Sequence, residues 1–236
     1  MMRKRGFTLA EVLITLAIIG VIASITLPSL TLSISAQKNR AALKRTMSVL
    51  NNAVKMNEAK YGWNFSSVGL GSNTDCYNLA TGASAMAANT VSTCAMFNEA
   101  LVGETYLGRV SQGTPTNSEW KIVDAKAFDG FLPVYHLNYR LNDGTVFGFG
   151  GMTICTRDDY FDMTLGGCKG YIDVNGAKGP NRVVTCSDDS YKFIWDEDYD
   201  FCDINQNTDA DIFPIAFYDS VIELSTNAGI EFIRAN

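Results

Sequence analysis

The sequence predicts an α+β protein in which one long N-terminal helix, apolar in its first half and amphipathic in its second, lies on a C-terminal antiparallel sheet. Three observations carry this reading. A nearly uncharged stretch runs from Phe7 to Leu27, an apolar stripe at helical spacing follows as far as Tyr61, and short alternating runs punctuated by Gly, Asn and Asp fill the C-terminal half. With 236 residues the chain supports one domain, or two small ones, with a sizeable core. Its 25 acids against 19 bases, a formal charge of −6, argue against a nucleic-acid partner, because phosphate binding needs a basic face. A lone histidine, His136, disfavours triad hydrolases and His-rich metal centres.

As a helix rising 1.5 Å per residue, Phe7 to Leu27 reaches about 31 Å, the thickness of a bilayer's hydrocarbon core. Arg3, Lys4 and Arg5 precede it, so the N-terminus stays cytoplasmic and the chain beyond about Leu32 is exported. A secretory signal peptide has a shorter apolar region ending in a small-x-small site, and Ala23-Ser24-Ile25 is a poor one. An uncleaved signal anchor is the simpler alternative. Against it stands Glu11, since an acid inside a span is costly and usually has a partner and a task. If the chain were cut after Gly6, Phe7 would carry a new ammonium group at the depth of Glu11. The two charges form an i, i+4 pair within one helix, and staggered neighbouring helices could pair them across chains. Without such a cut, Glu11 is an acid resting among headgroups.

Lys4-Arg5-Gly6-Phe7-Thr8-Leu9-Ala10-Glu11-Val12-Leu13-Ile14 resembles the class III leader and junction of type IV prepilins and of the pseudopilins of type II secretion, and the match extends over about the first 35 residues. The resemblance implies a pilin-like fold, cleavage between Gly6 and Phe7 by a membrane prepilin peptidase, N-methylation of Phe7, and assembly with other copies or related pilins by inner-membrane machinery. It also implies that Glu11 neutralises the Phe7 amine of an adjacent subunit. Gly20 and Pro28 fall where such proteins bend or locally unwind the helix; Pro28 lacks a backbone donor and clashes one turn back.

Past Ser35 the apolar residues Leu43, Met47, Leu50 and Val54, with Tyr61 two turns on, form one stripe, and Gly62 is a stop. Lys38, Arg40, Lys44, Arg45, Lys55 and Lys60 are expected on the remaining surface. The stripe needs a cover, and a sheet with one apolar face supplies it. The expected organisation is a leader at 1–6, a transmembrane and assembly helix at 7–35, its amphipathic continuation at 36–62, and an exported sheet domain with disulfide-bonded loops at 63–236.

Residues 64–118, rich in Ser, Thr, Asn, Gly and Ala, read as a connector over the sheet with a short helix around Thr93 to Leu101. Strands are expected at Lys121 to Phe128, along the alternating Tyr135, Leu137, Tyr139 and Leu141, and at Thr145-Val146-Phe147 after the Asn142-Asp143-Gly144 turn. Further strands are expected at Tyr171 to Val174, Tyr191 to Trp195, Phe213 to Tyr218, Val221 to Leu224 and Ile230 to Ile233. Cys76, Cys94, Cys155, Cys168, Cys186 and Cys202 all fall in the exported region without a C-x-x-C, which favours disulfides over zinc. Six cysteines allow about 15 connectivities. Sequential pairing, Cys76 with Cys94, Cys155 with Cys168 and Cys186 with Cys202, is the expectation because each pair brackets one polar loop.

Two acidic segments remain. Asp173-Val174-Asn175-Gly176-Ala177-Lys178-Gly179-Pro180-Asn181 is similar to a segment in the sheet domain of many bacterial pilin-like proteins, as is Asp209-Ala210-Asp211-Ile212-Phe213, here separated from it by an insertion at 182–208. A plain Asx turn explains D-x-N-G equally well. Asp203, Asn205, Asn207, Asp209 and Asp211 alternate as oxygen ligands do early in a calcium loop, so calcium held by these residues with Asp173 and Asn175 stands beside a solvated acidic loop as a reading. Asp158, Asp159 and Asp162 are a conceivable carboxylate set for a tethered enzyme, but nothing places them opposite one another. The favoured function is a structural filament subunit, not an enzyme, with no required cofactor. The alternatives are a type II secretion pseudopilin and a membrane-tethered exported binding protein or enzyme.

Overall fold

The structure is a computed structural model; it describes residues 8–69, 76, 92–111, 135–150, 154–160, 168–176, 178–179, 181–190, 202–205 and 208–235. The expected strands at Lys121 to Phe128 and Tyr191 to Trp195 lie outside these residues. Helix α1, Leu9–Tyr61, opens the fold. Its first turn is closed by a capping box in which Glu11 N donates to Thr8 Oγ1 at 3.3 Å and Thr8 N donates to Glu11 Oε2 at 2.9 Å, so two otherwise orphaned donors are satisfied. Gly62 ends the helix with φ +73°, a left-handed conformation that costs glycine little. Pro28 sits inside an unbroken helical run, next to hydroxyls that bond back to the turn before them, such as Ser24 to the carbonyl of Val21.

After α1 come α2 (Thr93–Ala100), β1 (Thr105–Ser111), β2 (Tyr135–Arg140), β3 (Val146–Gly150), α3 (Arg157–Tyr160), β4 (Lys169–Asp173), β5 (Ile212–Tyr218), β6 (Val221–Leu224) and α4 (Asn227–Arg234). The six strands form one antiparallel sheet in sequence order. In the β2–β3 turn Gly144 takes φ +91° and Asp143 accepts from Thr145 N at 3.0 Å, the chemistry expected of Asn-Asp-Gly.

Register sorts the side chains by face. Phe147 pairs with Tyr139 and Ile172, and Phe149 with Leu137 and Gly170, so the apolar face gathers Leu137, Tyr139, Phe147, Phe149, Ile172, Phe213, Ile215 and Phe217. Phe65 and Phe97 fill the space between this face and α1, with Phe97 stacked on Phe149 at 4.8 Å and Phe65 against Phe217 at 4.7 Å. On the opposite face Tyr171 crosses Gly148, where a Cβ would sit 2.4 Å from the ring, and its hydroxyl donates to Asn138.

Two expectations about the elements are corrected. Ile230 to Ile233 is not a strand but part of α4, because Thr226 caps it from Gly229 N at 3.2 Å and its buried residues Ala228, Gly229 and Phe232 fall at helical spacing. The connector does more than cover the sheet: it supplies Phe65, α2 with buried Met96 and Phe97, and strand β1 with a bulge between Tyr106 and Gly108.

Burial on α1 begins at Ala36 and continues through Leu43, Leu50, Ala53 and Val54, while Met47 packs at the core margin. Polar side chains of α1 then bond backbone groups of the domain. Asn39 donates to Ala210 O at 2.9 Å, Asn57 to Met96 O at 2.7 Å, and Asn51 both donates to Ile222 O at 2.9 Å and accepts from Ile222 N at 3.0 Å. Asn51 thereby acts as a one-residue strand against β6, satisfying groups that an edge strand leaves open. Arg40, expected at the surface, is buried: its Nε donates to Phe232 O at 2.7 Å in the last turn of α4, and its guanidinium lies 5.0 Å from the Phe232 ring centroid. Asn51→Leu strips both Ile222 bonds at once and is expected to cost about 2 kcal/mol. Denaturant unfolding of the purified chain in detergent reads this, and an unchanged midpoint would contradict the role given to Asn51.

Candidate functional site

The N-terminal half of α1 is the first candidate site. From Leu9 to Ile34 its large apolar side chains stand uncovered, Leu9 78%, Ile14 60% and Ile25 71% exposed among them. By length and apolarity this helix can cross a membrane. Glu11 faces outward at the start of the helix, its carboxylate accepting from both the backbone N and the hydroxyl of Thr8 at 2.9 Å. The cap holds the carboxylate against Thr8, the first described residue. Gly6 and Phe7 themselves lie outside the described residues. Gly20 faces open space, with no atom within 4 Å of where a Cβ would be, so another helix can approach its backbone closely.

The acidic segments form a second cluster. Asp173 Oδ1 accepts from Asn175 N at 3.2 Å and Gly176 N at 2.8 Å, which makes the D-x-N-G segment an Asx turn. Gly176 has φ +60°, and a Cβ there would meet Gly144 O at 2.2 Å. Asp211 is buried where the long β4–β5 connection returns to the turn. Its Oδ2 accepts from Asn181 N at 2.8 Å and Asn175 Nδ2 at 2.6 Å, and its Oδ1 from Arg182 N at 2.5 Å. Asp209 pairs with Arg182 through Nη1 at 2.8 Å. The structure therefore brings Asp173, Asn175, Asp209 and Asp211 together but leaves Asp203 and Asn205 exposed, and Asn207 lies outside the described residues.

This arrangement does not fit a calcium shell. An ion at Asp211 would have to displace three N–H donors, and one at Asp209 the Arg182 guanidinium, whereas calcium takes about six to eight oxygens. Asn175 Oδ1 is buried without a hydrogen-bond partner, and one such acceptor does not make a shell. Among the described residues no group of three acids, cysteines or histidines is placed to hold a metal. Asp158 is exposed on α3, the side chain of Asp159 and the whole of Asp162 lie outside the described residues, and His136 lies on β2 opposite Gly150.

The disulfides are Cys76–Cys94, Cys155–Cys168 and Cys186–Cys202, with Cα separations of 5.3, 5.8 and 5.3 Å. Each closes a local loop, and a loop of about 15 residues is worth about 3 kcal/mol in the chain-entropy view. Cys155 also ties two elements: its N donates to Phe65 O at 2.6 Å and its O accepts from Asp219 N at 2.9 Å.

An uncovered apolar helix long enough to cross a membrane, with a capped acid at its start and a disulfide-bonded sheet domain after it, fits a membrane-anchored precursor. Residues 1–27 match the family described as a prokaryotic N-terminal methylation motif. The N-terminus is thus a class III prepilin leader, as in type IV pilins and pseudopilins, and the chain is pilin-like or pseudopilin-like in general. No curated protein and no solved structure matches it.

Burial is the largest influence on Asp211 and pushes its carboxyl above the ordinary value, against the lowering effect of the N–H donors from Asn181, Arg182 and Asn175. A carboxyl raised in the folded state favours folding at pH below its unfolded value, and that contribution is lost as pH rises through the folded value. The stability difference between the wild type and Asp211→Asn should therefore shift against the wild type as pH climbs from about 4, the ordinary carboxylate range. Denaturant melts across that range measure it, and a difference that moves toward the wild type would contradict the assignment. Asp211→Ala, which orphans all three donors, should cost about 3 kcal/mol near neutral pH.

Proposed function

We infer that this chain is a structural subunit of a type IV pilus or pilus-like filament. The observation that carries the reading is the pairing of a prepilin leader with an N-terminal helix whose apolar surface stands exposed among the described residues. A prepilin peptidase removes Met1 to Gly6 and methylates Phe7. The helix then waits as a single pass in the inner membrane, N-terminus cytoplasmic and domain exported, until the assembly machinery moves it into a filament core. There its apolar side chains pack against those of other copies, which keeps them out of water once the helix has left the bilayer. Glu11, held at the helix start by Thr8, receives the Phe7 amine of a neighbour, so addition of a subunit in the wrong axial register leaves both charges unpaired in an apolar core. The work is assembly, and no catalytic step is assigned.

A type II secretion pseudopilin is the second reading, since the leader serves both. The disulfides suit the periplasm and the cell exterior alike, and it is the large connector and the cysteine-containing insertion at 182–208 that favour a pilus surface over a compact pseudopilin. Two substitutions test the mechanism in cells supplying the peptidase and assembly machinery. Gly6→Leu should block processing, seen as an unshifted precursor on a gel; normal processing would remove the cleavage site. Glu11→Ala should be processed normally and lose most of the sheared filament yield. A wild-type yield from it would remove the charge pair from the mechanism.

A further inference from the structure

From Val12 to Asn57 the chain has no Asp or Glu and five bases, Lys38, Arg40, Lys44, Arg45 and Lys55. Arg40 is buried under α4. The other four are exposed, and at 100° per residue they fall in one arc of about 120° on the side of α1 away from the core residues Leu43, Leu50 and Val54, together with exposed Ala41, Ser48 and Asn52. Lys44 and Lys55 lie three turns apart, about 16 Å along the helix. Arg45 reaches Asp143 at 3.2 Å. Lys38, Lys44 and Lys55 have no carboxylate within 4 Å among the described residues.

The rest of the exported chain has the opposite sign. Setting aside Glu11, the leader and the five helix bases leaves 24 acids against 11 bases from Glu58 onward. At the neck of the Cys186–Cys202 loop, Asp188, Asp189 and Asp203 are exposed together, because Ser187 N donates to Asp203 O at 2.7 Å and Asp189 N to Cys186 O at 3.0 Å. This β4–β5 connection lies beside the start of the domain-bound half of α1, where Asn39 holds Ala210 O. Copies that assemble through parallel helices would press one basic face toward another unless acids from a neighbour intervene. A contact between two different patches of the same chain is heterologous, the type of contact from which an open helical filament is built.

We propose that the basic face of α1 formed by Lys38, Lys44 and Lys55 is a docking surface for a second copy of this chain, which presents Asp188, Asp189 and Asp203. A copy displaced along the helix axis carries its β4–β5 connection toward Lys44 and Lys55, and the opposite charges select that displacement over one in which like faces meet. The contact rests on the filament reading above and adds to it which surfaces meet and with what sign. Being at the surface, it is screened by salt, with a reach of about 8 Å at physiological ionic strength.

The test is a charge-reversal cycle in the full-length chain, expressed with the peptidase and assembly machinery and read as sheared filament per processed subunit. The helix reversal is Lys38→Glu, Lys44→Glu and Lys55→Glu; the loop reversal is Asp188→Lys, Asp189→Lys and Asp203→Lys. Each alone should cut the yield about tenfold or more, and the sixfold variant should return to within about threefold of wild type. A neutral set, Lys38→Gln, Lys44→Gln and Lys55→Gln, guards against misfolding and should give filaments whose resistance to shear no longer falls as salt is raised. A sixfold variant no better than either reversal overturns the contact, as does a wild-type yield from the helix reversal. Helix reversal that weakens binding to anionic lipid vesicles without any rescue by the loop assigns the face to membrane and also overturns it. If the wild type is processed but makes no filament, the filament reading itself fails and this contact with it.

Discussion

Fourteen large apolar side chains from Leu9 to Ile34 stand exposed on a helix whose other half is buried in its own domain. Water does not tolerate that surface, so the chain must place it in a bilayer or against other copies, and every other part of the structure answers to this demand. The capped Glu11 puts a single charge at the start of the apolar run, where burial is expensive unless an amine meets it. The apolar half cannot also hold the domain, so all attachment between helix and sheet falls to residues from Ala36 onward.

That attachment is stronger than an apolar stripe alone would give. Leu43, Leu50 and Val54 bury surface without specifying position along the axis, whereas Asn39, Asn51 and Asn57 bond fixed backbone groups of the β4–β5 connection, β6 and α2, and Arg40 bonds the end of α4. The helix is therefore locked in register with the domain. A force that moves the helix along its axis carries the whole domain with it. The disulfides and the Asp211 hub serve the same end within the domain, closing connections whose ordering would otherwise cost entropy.

Much of this was legible in the residues, and the failures have physical reasons. The helix, its stop at Gly62, the Asn-Asp-Gly hairpin and strands β2 to β6 follow from periodicity and turn chemistry, which are local. Arg40 was read as surface because a buried guanidinium needs a partner, and its partners, Phe232 and the backbone at the end of α4, are 192 residues away. Ile230 to Ile233 looked like a strand through its β-branched residues, and the signal that decides otherwise is the Thr226 cap four residues earlier. Strand β1 was hidden by the bulge at Gly108 and by polar neighbours that match connector composition. Asp209 and Asp211 lead into β5, and the three N–H groups that donate to Asp211 come from residues about 30 or more positions away, which spacing along the chain does not reveal.

The chain's mature N-terminus bears most directly on the central claim that it is a processed subunit built around its uncovered helix. Intact-mass and N-terminal peptide measurement on protein from cells with a prepilin peptidase should find a chain beginning at Phe7, six residues shorter than the sequence and heavier by one methyl group. A chain that retains Met1 to Gly6 in such cells, or one cut near Ala23-Ser24-Ile25, would contradict the account and leave α1 as a simple tether or a signal sequence.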